Sequence, residues 1–248
     1  MNLVVCIDDT DNLESQGTGH LAQHIADTIE DMGWGSCSLI TRHQLYVHED
    51  IPYTSHNSAM CFEARIQADD REMLIAYCMK TLKTMSAPGS DPGLCVAVRR
   101  EIRDPGRLID FGLRAKQTVL TKDMAYSLAR DMEIHLSEHG GTGGGVIGAL
   151  AGTGLRLHGN DGRYRGWYHF GLAGTVVPVQ ELCSHRFIDR IQTRDGRILE
   201  QDQQVSLGGD TVKTIHRDGL QVVIVDEIQP VNGNPRWVTL TKEAVKLL

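Results

Sequence analysis

The sequence lacks the motifs that identify many common enzyme classes. Its six cysteines never form a C-x-x-C pair, which excludes a zinc ribbon and a thiol redox motif. There is no P-loop ending in Gly-Lys-Ser/Thr, no G-x-G-x-x-G opening the first helix, no H-E-x-x-H and no G-x-S-x-G. The usual nucleotide, zinc-hydrolase and serine-hydrolase signatures are therefore missing, and we expect the cysteines to be buried small hydrophobic residues.

The chain also lacks an excess of positive charge and a long apolar run. Its formal net charge is -7, which argues against a broad electrostatic footprint on nucleic acid but leaves room for a local basic patch. No run approaches the roughly 20 apolar residues that a bilayer requires, and no charged leader precedes the first strand. We expect a soluble cytoplasmic protein without membrane contact; the oligomeric state stays open.

A short apolar run and an acidic loop open the chain. Residues 3–7 are continuously apolar and stop at a polar cluster that begins with Asp8, which predicts a central strand with acids at its carboxyl end. The following apolar residues recur at helical spacing, with Thr18 predicted as the N-cap and Gly33 as the end of the helix.

The remaining pattern predicts three further regions. Strands at 38–47, 59–66 and 94–98 and a helix at 71–85 suit a ferredoxin-like α+β unit. A helix is predicted over 118–138 with Thr121 as its cap, followed by a glycine-rich loop that turns into a helix. Beyond residue 183, short β-like runs separated by dipeptides such as Asp218-Gly219 predict a small β-barrel, with a final helical segment at 241–248.

Three carboxylates crowd the end of the first predicted strand. Asp8, Asp9 and Asp11 repel one another unless a cation or hydrogen-bond donors neutralise them, and Mg²⁺ with a bound triphosphate fits that need. An acidic turn stabilised by its own side chains is the alternative. The start of the first helix, Gly17, Thr18 and Gly19, could hold a phosphate, or Thr18 could simply cap the helix.

The glycine-rich segment 140–154 is a second candidate for phosphate binding. Repeated glycine lets the backbone approach an anion closely, so the amides of Gly143, Gly144 and Gly145 are candidates for contacts to phosphate. A flexible or tightly packed turn accounts for the composition equally well.

In this order the segments resemble the isoleucine-tRNA agmatinylcytidine synthetase family. The similar segments are Ile7-Asp8-Asp9-Thr10-Asp11 with Thr18 downstream, Ile51-Pro52-Tyr53 followed by Asn57-Ser58-Ala59, Asp91-Pro92-Gly93, and the run from Gly145 to Ala151. The chain departs from the family after residue 180, where the lone Cys183 cannot form a zinc ribbon. It also carries Thr54, Ser55 and His56 where the family has Lys and Arg.

The resemblance implies an ATP-dependent enzyme with a kinase-like domain. By position, Asp8, Asp9 and Asp11 would hold Mg²⁺ and triphosphate, and Thr18 would accept a phosphoryl group. We further predict that Thr10, Gly17, Gly19 and glycines 143–145 bind ATP. Tyr53, Asn57 and Ser58 would contact the substrate, an unknown polar molecule or an RNA, with tRNA among the candidates.

The expected fold class is α/β combined with α+β. We predict a kinase-like α/β domain at 1–36 and 100–182, an inserted ferredoxin-like domain at 37–99, and a C-terminal β-rich, barrel-like domain at 183–248. The function predicted is an ATP- and magnesium-dependent ligase or phosphotransferase. A small-molecule kinase or ligase and a non-catalytic nucleotide- or RNA-binding protein are the alternatives. Arginines clustered between residues 99 and 114 could face RNA, or they could pair with Glu101, Asp104 and Asp110.

Overall fold

The computed structural model describes residues 1–51, 57–229 and 236–248. The chain forms two compact units, residues 1–158 and residues 159–248. No helix in the described ranges is both long enough and apolar enough to cross a membrane.

The first unit alternates strands and helices along the chain. Its strands are β1 (Asn2–Asp8), β2 (Gly35–Cys37), β3 (Thr41–Gln44), β4 (Ser58–Ile66), β5 (Gly93–Val98) and β6 (His135–Glu138). Its helices are α1 (Thr18–Asp31), α2 (Arg71–Met85), α3 (Pro105–Arg114), α4 (Lys122–Asp131) and α5 (Gly145–His158), with a 3-10 turn at Ala68–Asp70.

The strands of the first unit form one antiparallel sheet with β1 in its interior. The order is β6-β5-β1-β4-β3, and β2 also pairs with β4. Cys6 of β1 lies opposite Cys61 of β4 and Cys95 of β5. Residues 3–7 are completely buried, because helices cover both faces of the sheet. The continuous apolar run is explained by this double burial, and the predicted central strand is confirmed.

Helices pack on both faces of this sheet. On one face Val4 and Cys6 contact a core built from α3, α4 and α5, including Leu150. On the other face alternate residues of β1, among them Val5, contact α1 and α2 through residues such as Ile25. The first unit is therefore a three-layer arrangement, and the mixed α/β class is confirmed. Strands from both the predicted kinase-like and ferredoxin-like segments share the sheet, and the boundaries between these domains stay a prediction.

The predicted helix over 118–138 is wrong in its second half. Thr121 caps α4 as expected, because its hydroxyl oxygen accepts a hydrogen bond from the Met124 amide at 3.3 Å. The helix ends at Asp131, and Glu133 has a left-handed backbone with φ 56°. Residues 135–138 then pair with β5 as strand β6, so sheet pairing overrides the local helical pattern there.

The second unit is rich in short strands. They are β7 (Arg163–Tyr164), β8 (Val176–Pro178), β9 (Arg190–Thr193), β10 (Gln204–Ser206), β11 (Ile215–Arg217), β12 (Leu220–Glu227) and β13 (Trp237–Thr239), with α6 (Val179–Cys183) and α7 (Lys242–Lys246). The predicted hairpin is present: Asp218 and Gly219 connect β11 to β12 with φ 53° and 73°. The predicted final helix is α7.

The predicted barrel is not seen in the described part of the second unit. Its strands follow the order β7-β11-β12-β13-β10-β8, and β9 adds to β12 in parallel. Within the described residues these pairings give an open sheet with a branch at β12. The core of the unit includes Leu182, Val205 and Trp237.

Candidate functional site

A cavity of about 380 Å³ lies in the first unit, where β1 ends and α1 and α5 begin. Five aspartates line it, Asp8, Asp9, Asp11, Asp50 and Asp91. The lining also contains apolar side chains, Leu45, Ile51, Met60, Ala115, Val119, Leu120 and Ile147, and polar side chains of Arg42, Asn57, Ser58 and Thr118. The cavity thus combines apolar surface with a few polar and charged groups, as small-molecule sites commonly do.

Most of the residues singled out in the sequence line this cavity. They are Asp8, Asp9, Asp11, Gly17, Thr18, Gly19, Asn57, Ser58, Gly144 and Gly145. Thr10 and Gly143 do not line it, and Tyr53 lies outside the described residues. The acidic loop and the glycine-rich segment therefore meet although some 130 residues separate them. The roles assigned to these residues stay predictions.

Asp8 is the last residue of β1 and is buried against the first turn of α5. A Cβ atom at Gly148 would lie 1.7 Å from Asp8 Oδ2, so only glycine leaves space for this carboxylate. Burial, together with the neighbouring charge of Asp9, raises the pKa of Asp8 well above its usual range. A cation in the cavity would oppose that shift because it favours the ionised carboxylate.

Asp9 turns the chain out of the strand in a left-handed conformation. Its φ is 50°, which Asp tolerates better than most residues with a Cβ. Burial and then the charges of Asp91 and Asp11 raise the pKa of Asp9 to about 6. Near neutral pH, the Asp9 carboxylate that lines the cavity is therefore mainly ionised.

Thr18 does not cap α1, which corrects the prediction. Gly17 occupies the cap position with φ 86°, and no side chain caps the helix. The Thr18 hydroxyl instead donates to Asp11 Oδ1 at 3.1 Å and accepts the Thr10 amide at 3.4 Å. These two hydrogen bonds fix the Thr18 hydroxyl beside the Asp11 carboxylate at the cavity.

Two helices of 14 residues each begin at the cavity, α1 at Thr18 and α5 at Gly145. Neither has an acidic residue in its first turn. A helix start carries partial positive charge and leaves its first N–H groups without partners inside the helix, which favours anions. Both helix dipoles therefore favour a phosphate in this cavity.

The amides of the glycine-rich segment are already used within the fold. Gly143 donates to the Gly140 carbonyl at 3.2 Å, and Gly145 donates to the Asp91 carbonyl at 3.1 Å. Gly143 is also buried away from the cavity, and a Cβ atom there would lie 1.4 Å from Glu138 Oε2. The interpretation of the segment as a nest of free phosphate-binding amides is thus weakened for Gly143 and Gly145.

Other glycines of this segment make room for carboxylates. A Cβ atom at Gly141 would lie 1.5 Å from Asp91 Oδ1, and Gly148 similarly accommodates Asp8. The spacing G-x-G-x-x-G is present at 143–148, after β6 and at the start of α5, a signal that the sequence interpretation passed over. In this fold, the last glycine of the motif lets Asp8 lie against the first turn of α5.

Asp91 is the acidic residue that sequence reasoning missed as a site residue. Its Oδ1 accepts the Thr142 amide at 2.7 Å, and its Oδ2 accepts the Thr142 hydroxyl. The register of β1 against β5 places Asp8 opposite Gly93, and so brings Asp91 to the acidic loop. Its only sequence signal was its place in the Asp-Pro-Gly segment of the family resemblance.

Ser58 and Asn57, which also line the cavity, are held by the fold. Arg42 Nε donates to Ser58 Oγ at 3.0 Å, and the Asn57 amide donates to the Tyr46 carbonyl at 2.6 Å. Among the described lining residues, Arg42 is the single cationic side chain, against five aspartates. The side chains of Ser58 and Asn57 are held in place by the fold, and acidic side chains outnumber basic ones among the described lining residues.

The carboxylates fit a magnesium ion that shares its coordination with a polyphosphate. None of the ion pairs between described residues includes Asp8, Asp9, Asp11 or Asp91. In the same part of the chain, no three acidic, His or Cys side chains are close enough together to hold a metal by themselves. Mg²⁺ needs fewer, because it commonly takes one or two carboxylates together with water and phosphate oxygens.

The raised pKa of Asp9 gives a prediction for stability. Its pKa is about 6 in the folded protein against 3.8 for the unperturbed group, so the folded state binds a proton more tightly between these values. The free energy of unfolding that Asp9 contributes therefore falls as pH rises from about 4 to about 6. We expect Asp9→Asn to gain stability relative to the wild type over this range, measured by urea unfolding without ligand.

The comparison of the two proteins cancels the titration of the carboxylates that do not interact with Asp9. Asparagine also accepts the left-handed backbone at this position, so no strain is added. A stability difference that did not change with pH would contradict the assigned pKa of Asp9.

Comparisons with known proteins give structural matches that include TiaS, a tRNA agmatidine synthetase. No protein-family model and no curated protein matches the chain. The structure of TiaS with its isoleucine tRNA and ATP matches with 25% identity and a TM-score of 0.55, over 62% of this chain and 36% of that chain. The structure of TiaS with the same tRNA, AMPCPP and agmatine matches with 25% identity and a TM-score of 0.53, over the same shares of the two chains.

A third structure, apo TiaS, a tRNA agmatidine synthetase, matches with 23% identity and a TM-score of 0.54, over 62% of this chain and 35% of that chain, and shows the fold. The chain thus spans about a third of the length of the structures that it matches. Over that part it is structurally similar to TiaS.

Proposed function

We propose that this chain is an ATP- and magnesium-dependent phosphoryl-transfer or ligase enzyme. The observation that carries the proposal is the meeting of Asp8, Asp9 and Asp11 with the first turns of α1 and α5 in one cavity. Carboxylates favour the cation, and the two helix starts favour the phosphates that the cation bridges. The similarity to TiaS structures that contain ATP or AMPCPP supports the same ligand.

In this proposal the cavity residues position the cation and the triphosphate and balance their charge. Bound Mg²⁺ would neutralise charge on the triphosphate, which is the main requirement of phosphoryl transfer. Asp8 is fixed by β1 and Gly148, so its carboxylate needs no rearrangement to meet a cation. The apolar wall around Leu120 and Ile147 would exclude water from the transfer.

Thr18 is the proposed phosphoryl acceptor. Its Oγ1 would bond to the γ-phosphorus as the bond from that phosphorus to the bridging oxygen of ADP breaks. The hydroxyl proton would pass to Asp11 Oδ1, which already accepts the hydrogen bond at 3.1 Å. This geometry supports Asp11 as the base rather than only as a metal ligand.

The final acceptor is proposed to be a neutral or cationic polar group. Five lining aspartates against Arg42 disfavour an acceptor with further negative charge near the transfer point. The similarity to TiaS supports a tRNA nucleobase, which would reach the cavity without its backbone phosphates.

A small polar acceptor is favoured by the arginine-rich segment. Arg99, Arg103 and Arg107 pair with Glu63, Glu133 and Asp131, at 3.0 Å for the first and last pairs. These partners replace the expected Glu101, Asp104 and Asp110, and they offset the charge of three of the five arginines that could have faced RNA.

Incubation with Mg-ATP is expected to add one phosphoryl group to Thr18. Tandem mass spectrometry of the digested protein would locate it. Thr18→Val should lose the label, Thr18→Ser should keep it, and Asp11→Asn should slow labelling by at least about tenfold because the proton acceptor is lost.

Thr28→Val, on the same helix but outside the cavity, serves as the control and should be labelled like the wild type. A wild-type protein that binds Mg-ATP but stays unlabelled would argue for a nucleotide-binding protein without transfer to Thr18.

A further inference from the structure

The loop between β6 and α5 is wrapped around the carboxylate of Asp91. Thr142 donates its amide to Asp91 Oδ1 at 2.7 Å and its hydroxyl to Oδ2. The main chain of Asp91 is held as well, because its carbonyl accepts the Gly145 amide at 3.1 Å. Both carboxylate oxygens therefore have a fixed direction.

The far side of the loop is fixed by an ion pair. Lys122 Nζ donates to the Thr142 carbonyl at 2.6 Å and to Glu138 Oε2 at 2.7 Å. The loop can follow this path only with glycine at 141, where φ is 55° and a Cβ atom would lie 1.5 Å from Asp91 Oδ1. Thr142 is thus held by two partners: its amide and hydroxyl donate to Asp91, and its carbonyl accepts from Lys122.

These contacts fix the Asp91 carboxylate at the edge of an already acidic cavity. Asp91 lines the cavity with Asp8, Asp9 and Asp11, and it is in no ion pair with any described residue. Two hydrogen bonds orient a carboxylate but do not cancel its charge in the way a cation does. An asparagine would keep one acceptor oxygen for Thr142 and add no charge, whereas the aspartate accepts both Thr142 donors and also brings a carboxylate that can hold a cation.

From these contacts we propose that Asp91 is a further cation-holding residue of the cavity and that Thr142 is the residue that positions it. The inference rests on the proposed function, because the cation is the Mg²⁺ that accompanies ATP. Each Asp91 oxygen keeps a lone pair beyond the hydrogen bond from Thr142, and hard oxygen donors of this kind suit Mg²⁺.

The test measures the cation requirement of variants that separate charge from position. Asp91→Asn removes the charge and keeps an acceptor for the Thr142 amide. Thr142→Val removes the hydroxyl and keeps the amide, and Thr142→Ser restores the hydroxyl. Thr84→Val, on α2 and outside the cavity, is the matched control.

We expect the Mg²⁺ concentration for half-maximal ATP turnover to rise at least about tenfold in Asp91→Asn, which loses a cation-holding carboxylate, and in Thr142→Val, which loses the support of that carboxylate. This rise should exceed the loss in kcat, and Thr142→Ser should recover most of it. Electron paramagnetic resonance of free Mn²⁺, titrated with each protein and ADP, gives a readout without turnover and should show the same order of affinities.

A wild-type cation requirement in both variants, in active protein, would overturn the inference and leave the proposed function intact. Failure of the wild type to bind both Mg-ATP and Mn²⁺ with ADP would instead overturn the proposed function, and the inference with it. Circular dichroism establishes that each variant is folded. If Thr142→Val does not fold, Asp91→Asn decides the test by itself.

Discussion

Replacing Asp8 by asparagine is expected to lower ATP turnover by at least about 100-fold, which corresponds to about 2.7 kcal/mol of transition-state stabilisation. Asparagine has nearly the same shape, so it should fit against Gly148, but it brings no charge to the cation. Because the buried Asp8 carboxylate is costly to ionise beside Asp9, the ligand-free variant should not unfold at a lower temperature than the wild type. Steady-state turnover and thermal unfolding measure the two effects.

Asp27→Asn is the control for net charge, since Asp27 is exposed on α1 and outside the cavity. It should turn over ATP like the wild type. Undiminished turnover in Asp8→Asn would show that the strand-terminal carboxylate has no part in the chemistry and would remove the basis of the proposed function.

The second large effect is expected for Gly148→Ala. The new Cβ atom would meet Asp8 Oδ2 at 1.7 Å, and the carboxylate has to move because the helix backbone cannot. Overpacking of this kind costs about 1–3 kcal/mol of stability. A displaced catalytic group can cost up to about 100-fold in rate, and we expect at least about tenfold loss of ATP turnover.

Gly152→Ala separates displacement of Asp8 from overpacking. Gly152 lies one turn further along α5, and a Cβ atom there would meet Cys6 Sγ at 2.5 Å, outside the cavity. It should lose stability like Gly148→Ala but keep its turnover per folded molecule. Equal losses of turnover in the two variants would show that the close contact between Gly148 and Asp8 has no special role.

The sequence pattern was informative where structure is local. Residues 3–7 predict β1 correctly, because a strand that is buried on both faces needs a continuous apolar run. Thr121 was identified as a cap because the signal lies within one turn. Thr18 has the same local signal, but its hydroxyl bonds to Asp11, seven residues earlier, and the cap position falls to Gly17.

The assembly of the site depends on pairings that no local pattern contains. Asp91 reaches Asp9 because β5 runs antiparallel beside β1, and that register depends on the whole sheet. The resemblance to a known family suggested that the acidic loop and the glycine-rich segment belong together, but not how they meet. Composition suggested phosphate-binding amides, whereas the glycines mainly admit carboxylates.

Asp8 and Asp91 differ in how the fold holds them in place. Asp8 ends a strand that is hydrogen-bonded along both edges and covered on both faces, so it loses little conformational entropy when a ligand binds. Asp91 precedes its strand and depends on an exposed threonine in a neighbouring loop. Adaptation of such a site to a different cation or substrate would be expected to proceed through substitutions in that loop, while the strand stays as a fixed reference.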